Sequence, residues 1–195
     1  MHVVVHAPID HILDVLGGVA PLGGVAVLAN NSWSAEQGRK ALAIDWDTGL
    51  NAEYDSERYR QQLVDTSHKD GQTVMNRGDV QAAFEKAGRV IEADYYAPHL
   101  SHAPMEPPAA SATMHDDGSV EIWAATQDPQ SVQGTVASVL GIDKSQVKVN
   151  VALLGGGFGR KSKADFSAEA AWLAKQTGKP VKVSWSREDD IRHGY

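Results

Sequence analysis

The sequence contains no cysteine in its 195 residues. Disulfides, thiolate nucleophiles, Cys-ligated zinc and iron–sulfur clusters held by this chain are therefore excluded. No stretch reaches the roughly 18–20 uninterrupted apolar residues that a bilayer span requires, so no membrane contact is expected of this segment. The start lacks the basic residues and small-residue cleavage site of a secretory signal, and the sequence leaves the choice between cytoplasm and periplasm open. There is no long basic run, and 25 acidic against 18 basic side chains give a net charge of -7, which argues against a nucleic-acid surface. Internal repeats and low-complexity segments are absent. So is the G-x-S-x-G pattern of a serine nucleophile elbow.

What is present suits a folded domain. An apolar content of 42% can supply a core. The β-branched run that follows "MH" and the abrupt end at "SREDDIRHGY" read as a piece cut from a larger protein. Short strands are expected at Val3 to Val5 and Val25 to Asn30, with a Gly- and Pro-bearing loop between them. Ser34 is the expected cap of a small-residue helix, and a strand is expected over Ala43 to Asp47. Residues 51–87 turn polar and read as a linker with two short helices, one capped by Ser56 and one capped by Asp79 and ended by Gly88.

From Gly88 the pattern predicts strand, strand, strand, helix, strand, glycine loop, helix, strand. The first strand falls on "RVIEADYYAP". Asp117 and Gly118 turn a hairpin between the next two. Pro129 and Gly141 bound one helix, and a helix from Ala164 to Lys175 stops before Gly178. The five tryptophans fall on these elements, so core packing is expected of them.

The stretch "LLGGGFGRKSKADF" carries the strongest chemical signal. Glycines at 155, 156, 157 and 159 surround Phe158, and Arg160 and Lys161 follow. Glycines between a strand and a helix let backbone N–H groups approach an anion closely, and the first helical turn adds partial positive charge. Two phosphate loops fail on spacing: a dinucleotide fingerprint begun at Gly155 needs a glycine where Arg160 stands, and no Gly-Lys-Ser/Thr follows. Phe158 is read either as a core anchor or as a pocket wall, and Arg160 and Lys161 either as donors to an anion or as a solvated helix start. His99, His102 and Glu106 lie close in sequence, but Pro98, Pro104, Pro107 and Pro108 forbid the helix that would gather them on one face, so no metal ligand is assigned. For Glu106 a structural role is favoured, orienting backbone or holding a basic side chain.

Four ordered motifs occur between His102 and Lys161: H-x-x-x-E-P, then W-x-x-T-Q-x-P-Q, then L-G-x-x-x-x-x-V-x-V, then G-G-G-F-G-R-K. In that order they resemble the molybdenum-binding large subunit of the xanthine dehydrogenase and aldehyde oxidase family, most of all its isoquinoline-oxidoreductase or aldehyde-dehydrogenase-like branch. The resemblance implies an α+β fold, a mixed sheet with helices on one face, preceded by the end of an α/β hammerhead domain. Residues 1–50 would be the C-terminal part of the hammerhead, 51–87 the linker and 88–195 the first part of the molybdopterin-binding domain. It further implies a cofactor-binding loop of Gly156, Gly157, Phe158, Gly159 and Arg160, with the ring beside the substrate pocket. The intact enzyme would carry molybdopterin cytosine dinucleotide, oxidise an aldehyde or nitrogen heterocycle with oxygen from water, and pass electrons to an iron–sulfur small subunit.

Leu100 stands where many members carry a glutamine, so that hydrogen bond to the metal centre is not carried over. The family's catalytic glutamate belongs to a later segment. No catalytic residue is assigned, and the chain alone is expected to be inactive and to hold no cofactor. The alternatives are a non-catalytic nucleotide- or phosphate-binding module using the 155–161 loop, and an assembly domain in which the loop is only a turn.

Overall fold

The computed structural model describes residues 2–6, 24–49 and 52–194, with side chains from 24 onward. The described chain divides into two compact units, one built from residues 1–42 and 101–195 and the other from 43–100. The expected loop over 16–24 lies outside the described residues except for Gly24, which opens a strand.

In the first unit, β1 (His2–His6) and β2 (Gly24–Leu28) form an antiparallel pair in which Val4 faces Ala26. The helix α1 (Ser32–Lys40) follows. Its cap is Asn31 rather than Ser34, because the Asn31 side-chain oxygen accepts from the Ser34 N–H at 2.9 Å. The strand expected over Ala43 to Asp47 does not form; that stretch has no regular structure.

The second unit holds α2 (Ser56–Ser67) and α3 (Val80–Lys86), neither of which buries a residue. Asp55, one place before the expected Ser56, caps α2, and Asp79 caps α3 as expected. Helix α3 ends on an extended Ala87 without a left-handed Gly88. The "RVIEADYYAP" segment is not a strand. With no partner strand to satisfy its peptide groups it stays irregular, although β-branched and aromatic residues favour extension. Tyr59 lies edge-on to His99 at 5.7 Å, and the Arg60 guanidinium sits 4.9 Å from the Tyr96 ring centre.

The principal sheet belongs to the first unit. Strands β3 (Ala109–Met114), β4 (Val120–Ala124), β5 (Val147–Val151) and β6 (Val181–Ser184) lie in the order β5-β4-β3-β6. β3 runs antiparallel to both β4 and β6, while β4 and β5 are parallel, so the sheet is mixed. Helices α4 (Pro129–Leu140) and α5 (Asp165–Thr177) supply the crossovers, and α6 (Arg187–Arg192) follows β6. Asp128 caps α4, Pro129 opens it, and Gly141 ends it in the left-handed conformation at φ 67. Gly118, at φ 82, turns the β3–β4 hairpin.

Alternation decides which face of the sheet is covered. Ala110 and Ala112 of β3, with Val120, Ile122 and Ala124 of β4, are buried against Val132, Val136 and Leu140 of α4 and Phe166, Ala170 and Ala174 of α5. Alanines on β3 and α5 bring helix and strand close together. The opposite face carries Trp123, which is exposed. Trp33 and Trp46 are also exposed, against the expected core packing; Trp172 and Trp185 are partly buried. Helical or strand placement alone does not bury a ring, since each element has an outward face.

This topology gathers the site. The C-terminal ends of β4, β5 and β6 and the N-terminal end of β3 all open on one edge of the sheet. Thr126 and Gln127, the 155–161 loop, Trp185 and the Pro104–Pro108 segment are thereby brought together.

Candidate functional site

The glycine loop begins beyond β5, where the Ala152 N–H still donates to the Ala124 carbonyl at 3.0 Å. Its first anchor is Glu106. The Glu106 carboxylate accepts from the Gly155 N–H at 3.0 Å and from the Lys161 ammonium at 2.5 Å, and its own N–H donates to the Gly155 carbonyl at 3.0 Å. Glu106 is thus the structural residue expected from the sequence. The Lys161 hydrogen bond, opposed by partial burial and aided by the Gly155 N–H, holds its carboxyl below the usual glutamate range.

Gln127 is the second anchor. Its side-chain oxygen accepts from the Gly159 N–H at 3.0 Å, and its backbone N–H donates to the Lys161 carbonyl at 2.9 Å. The Thr126 hydroxyl donates to the same carbonyl at 3.1 Å. At two of the glycines an added side chain would displace one of these anchors. A Cβ on Gly155 would stand 2.5 Å from the Glu106 Cβ, and one on Gly157 would stand 2.4 Å from the Gln127 side-chain oxygen.

Between these anchors the chain makes a tight turn. The Arg160 N–H donates to the Gly157 carbonyl at 2.9 Å, enclosing Phe158 at φ 53 and Gly159 at φ 92. Both central residues are left-handed, the pattern of a type I′ turn that glycine and asparagine usually occupy. Phe158 holds it under strain, and its ring is 72% exposed, so it is not a core anchor. Among the described residues, none accepts from the N–H groups of Gly156, Gly157 or Phe158. Gly157 is itself buried, where an N–H without an acceptor is costly. Such a row of donors beside an open aromatic face suits a flat, anionic group.

The two basic residues do not form a solvated helix start. Lys161 is fully buried on Glu106, and Arg160 is 1% exposed. The Arg160 guanidinium meets the Asp165 carboxylate through two hydrogen bonds of 3.2 and 2.7 Å and lies 5.1 Å from the Trp185 ring centre. The Trp185 indole N–H in turn donates to Glu169 at 2.8 Å. Burial raises the Glu169 carboxyl to about 7, against the lowering effect of that indole N–H, and the neighbouring Asp165 charge adds to the rise. The expected helical turn after the glycines is a three-residue 3-10 turn, Arg160–Ser162, and α5 starts later with Asp165. Glycine amides and not a helix end therefore supply the donors.

Among the described residues no group of three or more His, Asp or Glu side chains could hold a metal ion. His99 packs on Tyr59, and the buried Nδ1 of His102 has no hydrogen-bond partner among the described residues. Sequence reasoning passed over Gln127, Asp165 and Trp185. Only the T-Q-x-P pattern, which sets Gln127 beside the Asp128 cap, carried a signal for any of them.

The model of the molybdopterin cofactor-binding domain matches residues 64–194. The chain belongs to that family. The beta subunit of isoquinoline 1-oxidoreductase from Brevundimonas diminuta is 32% identical over 178 residues, which cover 87% of this chain and 23% of that protein. The xanthine dehydrogenase molybdenum-binding subunit of Escherichia coli O157:H7 is 33% identical, across 84% of this chain and 22% of the relative. The chain thus spans about a quarter or less of these relatives' length. The crystal structure of quinoline 2-oxidoreductase from Pseudomonas putida 86 shares the fold, with a TM-score of 0.62 at 21% identity, covering 87% of this chain and 22% of that one. The mixed sheet with helices agrees with the fold expected of a molybdopterin-binding domain. Nothing in these likenesses favours a separate nucleotide-binding module.

Proposed function

We propose that this chain is part of the large subunit of a molybdenum hydroxylase that oxidises an aldehyde or a nitrogen heterocycle. Residues 1–50 would end a hammerhead domain, 51–87 would link, and 88–195 would begin the cofactor domain. The cofactor would be molybdopterin cytosine dinucleotide, and electrons would leave through an iron–sulfur small subunit. The observation that carries this reading is the run of three N–H groups, Gly156 to Phe158, without acceptors among the described residues and beside an exposed ring.

The residues present fit such a group. Gly156, Gly157 and Phe158 would donate backbone hydrogen bonds to its anionic oxygens. Gly159 already donates to Gln127 and would shape the turn, while Arg160 would brace the loop from behind. When bound, the cofactor supplies the two-electron oxidation of the substrate carbon, with water as the oxygen source. This chain's own part is to fix that group, to wall the substrate space with Phe158 and to exclude water along the ring. No catalytic base is assigned to this chain, and the chain alone would neither turn over nor retain cofactor.

The test is chemical analysis of the full-length protein. Stoichiometric molybdenum, a cytidine nucleotide released by acid hydrolysis, and oxygen-18 from labelled water in the product are expected. A protein without molybdenum that binds free nucleotides through residues 155–161 would instead establish the phosphate-binding module.

A further inference from the structure

Arg160 has two attachments that act on the same turn. Its N–H closes the turn on the Gly157 carbonyl, and its guanidinium is locked into the interior by Asp165 and the Trp185 face. Trp185 is fixed on two sides: its backbone N–H donates to the Pro108 carbonyl at 3.0 Å, and its indole N–H donates to Glu169 at 2.8 Å. The enclosed Phe158 occupies a left-handed conformation that a side chain with a Cβ resists. A strained residue persists only where its surroundings over-determine it. Gly159 is held separately, its N–H by the Gln127 side-chain oxygen at 3.0 Å and its carbonyl by the Ser162 hydroxyl at 2.6 Å, which leaves the closing bond of the turn itself to the Arg160 N–H.

We propose that Arg160 is a positioning residue: its buried attachment to Asp165 and Trp185 holds the Gly157–Arg160 turn shut, and so keeps the Phe158 ring and the neighbouring amides presented outward. The inference rests on the cofactor reading only for what those amides face. It assigns to the basic residue of the G-G-G-F-G-R-K run a task carried out from inside the fold, without contact to ligand or substrate. A lysine could enter the same space but offers one point charge in place of the two-pronged fork, so it would hold the turn less well.

Three variants of the full-length protein test it: Arg160→Lys, Arg160→Gln, and the double Arg160→Gln/Asp165→Asn, which leaves no unpaired buried charge and protects folding. Amide hydrogen exchange is read in the cofactor-depleted form. Exchange at the hydrogen-bonded amides of Gly159 and Arg160 should rise about tenfold or more in the double variant and by less in Arg160→Lys, with protection in α4 unchanged. In the same background, Phe158→Gly should stabilise the parent protein but not the double variant, because the strain is already released. Unchanged exchange at Gly159 and Arg160 with lowered global stability would overturn the proposal and leave Arg160 a core residue. Loss of cofactor retention with unchanged loop exchange in the depleted form would overturn it differently, by showing direct ligand contact. If the variants loosen the turn while cofactor loading leaves the wild-type loop's exchange unaltered, the positioning role stands and the cofactor reading falls.

Discussion

The Glu106 carboxylate and the Lys161 ammonium, 55 residues apart in sequence, meet at 2.5 Å, and the same carboxylate oxygen accepts from the Gly155 N–H. One side chain thus ties the two ends of the glycine loop together. Lys161 is fully buried while Glu106 is 42% exposed, so the pair straddles the surface. Breaking a fully buried pair costs about 3–5 kcal/mol, and the exposure of Glu106 reduces that.

Glu106→Gln is therefore expected to lower stability by about 2–3 kcal/mol, because it leaves a buried ammonium facing a neutral amide. Lys161→Met should cost less, since it removes the charge that needs a partner. Thermal unfolding of the two variants side by side checks the order. A larger loss for Lys161→Met would contradict this account of the pair.

Gly157→Ala should disturb the loop more than Gly159→Ala. The first drives a methyl into the Gln127 side-chain oxygen and so breaks the bond that holds the Gly159 N–H. The second enters open space and meets only the backbone preference at φ 92, a cost of about 1–2 kcal/mol. Cofactor content of the two variants, measured as molybdenum per protein, should fall in the same order.

Stability should also fall as pH rises toward neutrality. Glu169 titrates near 4.5 when unfolded and near 7 when folded, so the native state binds the extra proton between those values. The favourable contribution is full below 4.5, declines through the interval and is lost above about 7, on the order of 3–4 kcal/mol in all. The lowered Glu106 acts in the opposite sense and further down the scale: its contribution is present above 4.5 and lost as pH falls through its folded value. Glu169→Gln keeps an acceptor for the Trp185 indole and should flatten the slope between pH 4.5 and 7. A profile identical to wild type would refute the assignment.

Phe158→Ala should leave stability nearly unchanged, since its ring is already exposed, while raising KM for the substrate that the ring walls. Steady-state kinetics of the full-length enzyme checks the split. A large stability loss with unchanged KM would return Phe158 to the role of a core anchor.

The sequence made the sheet and its two crossover helices legible because their signals are local. Pro129 and Gly141 bound α4, Gly178 ends α5, and Asp117 with Gly118 turn the hairpin. The failures fall where a distant partner decides. The "RVIEADYYAP" run has strand composition but no neighbouring strand, and Trp123 sits on a strand whose outward face composition does not reveal. In the site, the glycines and Phe158 were evident from their types alone. The inward turn of Arg160 was not: Asp165 is near in sequence, but Trp185 becomes its partner only in the folded sheet, where the C-terminal ends of β5 and β6 point the same way.

The most direct measurement is amide hydrogen exchange across residues 155–160 in full-length protein with and without its cofactor. On loading, the Gly156, Gly157 and Phe158 amides should slow by about a hundredfold or more, while those of Gly155 and Gly159, already held by Glu106 and Gln127, should change little. Exchange at the three central amides that is the same in both forms would contradict the claim that this loop cradles the cofactor.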